Sequence, residues 1–130
     1  MQALVTQPGT AGTAHIADVA EPAAADDGVL LRIVEVGVCG TDREIIDGLF
    51  GVAPPGRDTL VLGHEMLGRV ERDGHGFTRG DLVASTVRRS CGHCAACAAG
   101  SPDSCLTGDY TERGITALDG FASELVVERA

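Results

Sequence analysis

The chain has 130 residues, with 10 basic and 19 acidic side chains for a formal net charge of −9, and 44% of it is hydrophobic. That length suits one domain or a piece of one, and the apolar content is too high for a disordered segment. An acidic, lysine-free chain lacks the concentrated positive charge that nucleic acid or an anionic membrane surface requires, and no apolar run approaches the ~20 residues of a spanning helix. No basic leader precedes an apolar stretch at Met1–Thr6, so a cytoplasmic location is expected.

With no Trp, one Tyr and three Phe, large apolar bodies are few and the core must be modest. Short apolar stretches separated by Gly, Pro and Asp favour strands over helices. Ala3–Thr6 and His15–Val19 are predicted strands, and Ala23–Gly28 a loop ending in a turn. Val29–Val38, β-branched and bounded by glycine, is the clearest strand. One short helix is expected after Cys39, with Thr41 and Glu44 as a capping box and Gly48 as its stop. Phe50–Thr59 contains Pro54-Pro55-Gly56 and should be irregular. Leu60–Leu62, Met66–Arg72, Leu82–Thr86 and Phe121–Val127 read as further strands, and Gly80-Asp81 as a turn. The glycines of Gly74–Gly80 lie before a strand and one residue too far apart for a dinucleotide fingerprint, which predicts a hairpin loop. The fold class expected is mainly β, a barrel-like domain with one or two short helices and a lobe spanning 88–108.

Four of the five cysteines lie in that lobe, as Cys91-x2-Cys94-x2-Cys97-x7-Cys105. Four thiolates close a tetrahedral shell around zinc, leaving no position for substrate, so the ion they imply is structural. An iron–sulfur cluster or a set of reduced thiols are the competing readings. His93 lies inside the cluster but is surplus to four thiolates.

The fifth cysteine stands apart in Gly37-Val38-Cys39-Gly40-Thr41-Asp42, and Gly63-His64-Glu65 follows some 25 residues later. Cys39, His64 and a carboxylate would make a three-ligand zinc site with an open fourth position. Asp42 would hold the other imidazole nitrogen, and the Thr41 hydroxyl would relay a proton from bound substrate. A core cysteine and a surface His-Glu dipeptide are the plainer alternatives. Adjacent strand residues face opposite ways, so joint ligation by His64 and Glu65 requires a turn at Gly63.

Taken together, the Cys39–Asp42 and Gly63–Glu65 motifs, Gly80-Asp81-Leu82-Val83 and the cysteine lobe resemble the zinc-containing medium-chain alcohol dehydrogenases in order and spacing. Val87-Arg88-Arg89, Tyr110–Ile115 and Asp119-Gly120-Phe121 are similar to the glucose 1-dehydrogenase branch. The resemblance implies a GroES-like catalytic domain over 1–130, with catalytic zinc at Cys39, His64 and Glu65 and structural zinc at Cys91, Cys94, Cys97 and Cys105. It implies Thr41 and Asp42 as catalytic residues, and Thr41, Glu65 and Glu112 facing a sugar or alcohol. NAD or NADP would bind only in a longer parent, through a Rossmann domain that these residues do not contain. The parent's activity would be oxidation of an alcohol or anomeric hydroxyl, and assembly as a homo-oligomer is common in such families. Val87 departs from the amide side chain frequent there in sugar-type members. The alternative function is a standalone structural zinc-binding module without dehydrogenase activity.

Overall fold

The computed structural model describes residues 1–23 and 28–129, so most of the expected Ala23–Gly28 loop, residues 24–27, lies outside the described residues. Among the described residues, ten strands and two short α-helices follow one another as β1 (Gln2–Thr6), β2 (His15–Asp18), β3 (Gly28–Gly37), α1 (Gly40–Ile46), β4 (Leu60–Val61), β5 (Glu65–Val70), β6 (Leu82–Ala84), β7 (Arg88–Arg89), α2 (Ala95–Ala98), β8 (Thr111–Arg113), β9 (Ala117–Leu118) and β10 (Leu125–Arg129), with a single 3-10 turn at Pro102–Ser104. They form three sheets, ordered β2-β1-β4, β10-β3-β5-β6 and β7-β8-β9. The first two are stitched into a barrel-like body by residues 120–124. Gly120 N–H donates to Val61 O, Ala122 N–H to Leu62 O, and Ile33 N–H to Glu124 O.

The core divides between the sheets. Val29, Leu31, Met66, Val70, Phe121 and Val126 pack under the four-stranded sheet, while Ile45, Leu60, Leu62 and Ile115 anchor α1 against β4. Alternate residues of β3 and β5 point inward because side chains on a strand change face at every step. The β3/β5 ladder is interrupted between Ile33 and Glu35, a bulge that resets the register so that Gly37 sits opposite Glu65. The strand ends nearest the helix are thereby fixed relative to one another.

Two expectations need correction. The helix cap lies two residues earlier than Thr41 and Glu44. Cys39 is the cap residue, its Sγ accepting from Thr41 N–H at 3.3 Å, and Asp42 reaches back to accept from Cys39 N–H at 2.9 Å. Asp42 is buried and Glu44 exposed, so burial selects the carboxylate that closes the box. Gly48 does follow the helix, at φ +75°. The last strand begins at Leu125 and not at Phe121. Phe121 is fully buried between sheets, and its apolar character reflects core packing at a bend and not strand pairing. The Gly74–Gly80 stretch is the hairpin loop joining antiparallel β5 and β6. No helix among the described residues is long and apolar enough to cross a membrane.

Candidate functional site

In the lobe, no residue from Cys91 to Gly108 is buried, so hydrophobic packing cannot order it. What converges there is sulfur. Cys91 Sγ lies 3.9 Å from Cys97 Sγ and 3.6 Å from Cys105 Sγ, and the four sulfurs all fall within 4.8 Å of one another. Two ~2.3 Å zinc–sulfur bonds at the tetrahedral angle place their sulfurs about 3.8 Å apart, so the observed spacings fit a single ion. They are far longer than a disulfide bond of ~2.05 Å. A cluster of several irons would hold its cysteines further apart than one ion does.

The cluster is electrostatically uneven. Hydrogen bonds from the His93 backbone, the Thr107 hydroxyl and the Cys94 backbone favour the Cys91 thiolate and bring its pKa to about 5. Cys105 is also lowered, first by Thr107. Desolvation, then the neighbouring Cys94 thiol, pushes Cys97 up to about 11. His93 is exposed and its Nδ1 contacts Cys91 O at 2.8 Å, as expected of a loop residue outside the donor set.

The second cluster is assembled from three elements. Cys39 caps α1, His64 follows a sharp bend at Gly63 (φ +89°), and Glu65 opens β5. The bend requires glycine. A Cβ at Gly63 would approach Val36 Cγ1 at 2.8 Å, and the positive φ disfavours any side chain. By turning the chain there, it lets His64 and Glu65 address the same point despite being neighbours. Cys39 Sγ is 3.1 Å from His64 Nε2, Glu65 Oε1 is 3.8 Å from the same nitrogen, and all three donor atoms lie within 4.8 Å. The opposite face of the imidazole meets Asp42, whose Oδ1 is 3.4 Å from Nδ1. Among the described residues that nitrogen is buried and makes no hydrogen bond; the Asp42 carboxylate at 3.4 Å is the group that a proton on Nδ1 would face, which leaves the Nε2 lone pair toward Cys39 and Glu65. A soft thiolate, an imidazole and a carboxylate on three sides suit zinc with one coordination position left open.

Thr41 sits on the first turn of α1, two residues past Cys39. Glu112, on β8, is not one of the converging donor atoms and pairs with a cation. Its Oε1 accepts from Arg88 Nη2 at 2.8 Å and Nε at 3.2 Å, which raises the Arg88 pKa, and the guanidinium lies 4.1 Å from the Tyr110 ring centroid. Arg88 also donates to Asp103 O at 2.6 Å, tying the lobe to the β7–β8 ladder. This pairing escapes sequence reasoning, which predicts no strand at 88–89 or 111–113; opposite charges at the two ends of the lobe were its available signal. Val87 packs with the Ile45–Ile115 cluster. A cavity of about 640 Å³ is lined by Arg89, Tyr110, Arg113 and Glu128, among others, and by none of the Cys39, His64 and Glu65 side chains.

A mainly β barrel carrying a four-cysteine lobe and a separate Cys/His/Glu cluster defines a GroES-like domain with two donor sets of a kind that suits zinc. Residues 25–130 match the alcohol dehydrogenase GroES-like domain, and the chain belongs to that family. It is 47% identical over 133 aligned positions to glucose 1-dehydrogenase of Methanocella arvoryzae, covering 99% of this chain and 37% of that protein. It is 43% identical to glucose 1-dehydrogenase of Thermoproteus tenax over 100% of this chain and 37% of the relative. Among solved structures, glucose dehydrogenase of Haloferax mediterranei in complex with NADP, zinc and gluconolactone superposes with a TM-score of 0.87 at 35% identity, covering 99% of this chain and 37% of that one. The chain thus spans little more than a third of the length of these relatives.

Proposed function

We propose that residues 1–130 form the catalytic-domain portion of an NAD(P)-dependent sugar or polyol dehydrogenase, with residues 88–108 as its structural zinc lobe. The observation that carries this reading is the convergence of Cys39 Sγ, His64 Nε2 and the Glu65 carboxylate with Asp42 behind the imidazole. Zinc bound there would act as a Lewis acid, stabilising the alkoxide that forms as an alcohol or anomeric hydroxyl loses its proton. Cys39, His64 and Glu65 would hold it, Asp42 would orient His64, and the Thr41 hydroxyl would take the substrate proton outward. Both Arg88 contacts fall on Oε1 of Glu112, which leaves Oε2 as the oxygen for a sugar hydroxyl. Hydride acceptance belongs to nicotinamide bound by a further domain.

The test has two stages. The isolated chain should bind two zinc ions, the one at Cys39 and His64 extracted first by chelator, and should not reduce NAD or NADP with aldoses. Fused ahead of the remaining two thirds of the Methanocella relative, it should support aldose-dependent nicotinamide reduction that Cys39→Ser abolishes. A folded, doubly metallated fusion that leaves aldoses and polyols unoxidised would refute the reading.

A further inference from the structure

Gly37 ends β3 directly opposite Glu65, the first residue of β5, so their side-chain directions share one face of the sheet. Glycine is not needed at this position for its backbone angles, because Gly37 is not among the residues with positive φ. It is needed for room. A Cβ built on Gly37 would stand 2.9 Å from Glu65 Cβ and 3.3 Å from its carboxyl carbon, with Oε2 closer still. Directly opposed residues on antiparallel strands ordinarily keep their Cβ atoms ~4.5–5.5 Å apart. The Glu65 side chain therefore folds back over Gly37 and fills the volume that any other residue would occupy. Glu65 is more than half exposed at its side chain, so solvent is its obvious alternative.

From this we propose that Gly37 is a positioning residue, and that its missing side chain is the seat that keeps the Glu65 carboxylate turned toward Cys39 and His64. The proposal rests on the reading of those three side chains as one metal-binding set. A methyl group at position 37 would drive the carboxylate out toward water. The strand ends would also have to part by about 1 Å or more, because the 2.9 Å approach of the two Cβ atoms must open toward the ordinary cross-strand spacing, and Cys39 and His64 would remain as a two-sided site. The barrel core under the sheet does not use the face that Gly37 and Glu65 share, so the fold would survive while the site weakened.

Cobalt(II) alone is the probe, because a thiolate–cobalt bond absorbs strongly and each bound ion can be followed by chelator competition. The wild-type chain should take up two ions, one of them lost in Cys39→Ser. Gly37→Ala should weaken that ion roughly 10–100-fold, the range typical when a group orienting a ligand is removed, and leave the lobe spectrum unchanged. Glu65→Gly should weaken it similarly, and Gly37→Ala/Glu65→Gly should be no weaker than Glu65→Gly. Wild-type affinity in Gly37→Ala, or a further loss in the Glu65→Gly background, would overturn the proposal. If Gly37→Ala fails to fold, the double variant, which removes every contact at issue, must fold, and its failure would equally overturn it. A wild-type chain that binds a single cobalt, indifferent to Cys39→Ser, would instead remove the metal-site reading and the proposal with it.

Discussion

Replacing Asp42 by Asn separates the two tasks that this side chain performs. Asp42 is buried; its Oδ2 accepts from Cys39 N–H at 2.9 Å, and its Oδ1 faces His64 Nδ1 at 3.4 Å. Asparagine retains one oxygen, which can keep the cap bond to Cys39, and the helix then loses little, at most about 1 kcal/mol on the scale of cap substitutions. The amide nitrogen must then point at His64 Nδ1. It would present a donor where the carboxylate now stands, so the imidazole proton moves to Nε2, the nitrogen that addresses Cys39 and Glu65. A protonated Nε2 cannot ligate. Metal affinity at this cluster should fall about 10–100-fold, equivalent to about 1.4–2.7 kcal/mol of binding free energy. The four-cysteine lobe, which shares no contact with Asp42, should hold its ion unchanged. Chelator competition on Asp42→Asn, with urea denaturation of the same sample, reads both quantities. Wild-type metal affinity in the variant, or a loss of fold stability larger than the loss of metal binding, would refute the assignment of Asp42 to His64.

Two further outcomes follow from charges away from that cluster. Glu128, buried, accepts from Arg113 Nε at 2.7 Å and pairs with Arg89 Nη2. Burial pulls Arg113 below its ordinary pKa while Glu128 opposes the shift. Glu128→Gln would leave two guanidinium groups sharing a neutral partner, and breaking such a pair costs ~3–5 kcal/mol. Arg113 keeps the Asp119 and Val127 carbonyls, which favours the lower end, about 3 kcal/mol; chemical denaturation at saturating zinc measures it, and a loss below about 1 kcal/mol would contradict the pairing. In reduced, metal-free protein at pH 7, Cys91 should be alkylated before Cys97. A thiol lowered to about 5 is ionised there, whereas one raised to about 11 is protonated and gains reactivity only as the pH climbs toward that value. Mass-mapped iodoacetamide labelling gives the order, and the reverse order would discard the hydrogen-bond assignment at Cys91.

Much of this was legible in the residues, for identifiable reasons. The long strand at Val29–Val38 announces itself because β-branched residues between glycines have few other uses, and β3 runs from Gly28 to Gly37. The lobe is legible because four donors within fifteen residues must meet wherever the backbone goes. The turn at Gly63 follows from a geometric demand, that adjacent residues address one point. What escaped was set by burial. Thr41 and Glu44 spell a capping box as well as Cys39 and Asp42 do, and only the packing of α1 onto Leu60, Leu62 and Ile115 buries Asp42 and chooses between them. Phe121 reads as a strand residue, yet it fills the gap between sheets. Arg88 and Glu112 meet only through the β7–β8 register, a contact across 24 positions of sequence.

The two donor clusters depend on the fold in opposite ways. The lobe has no buried residue between Cys91 and Gly108, so packing does not order it; anchors such as Arg88 to Asp103 O do, and an ion held by its four sulfurs would. Structural zinc can supply ~10–16 kcal/mol in small peptides, ample for a loop of this size. The Cys39 cluster inverts this dependence. Its donors arrive from the cap of α1, the bend at Gly63 and the start of β5, and their convergence is inherited from a bulge at Val34 and from glycines that let backbones touch. A Cβ at Gly120 or Gly114 would collide with the Leu62 or Gly63 carbonyl, so the backbone carrying His64 is held by close main-chain approach before any metal binds. On the proposed function, a preformed site with one open side would leave the binding of an ion available for substrate chemistry, because the barrel has already ordered it. That division explains why a single domain carries two zinc-type donor sets of such different composition.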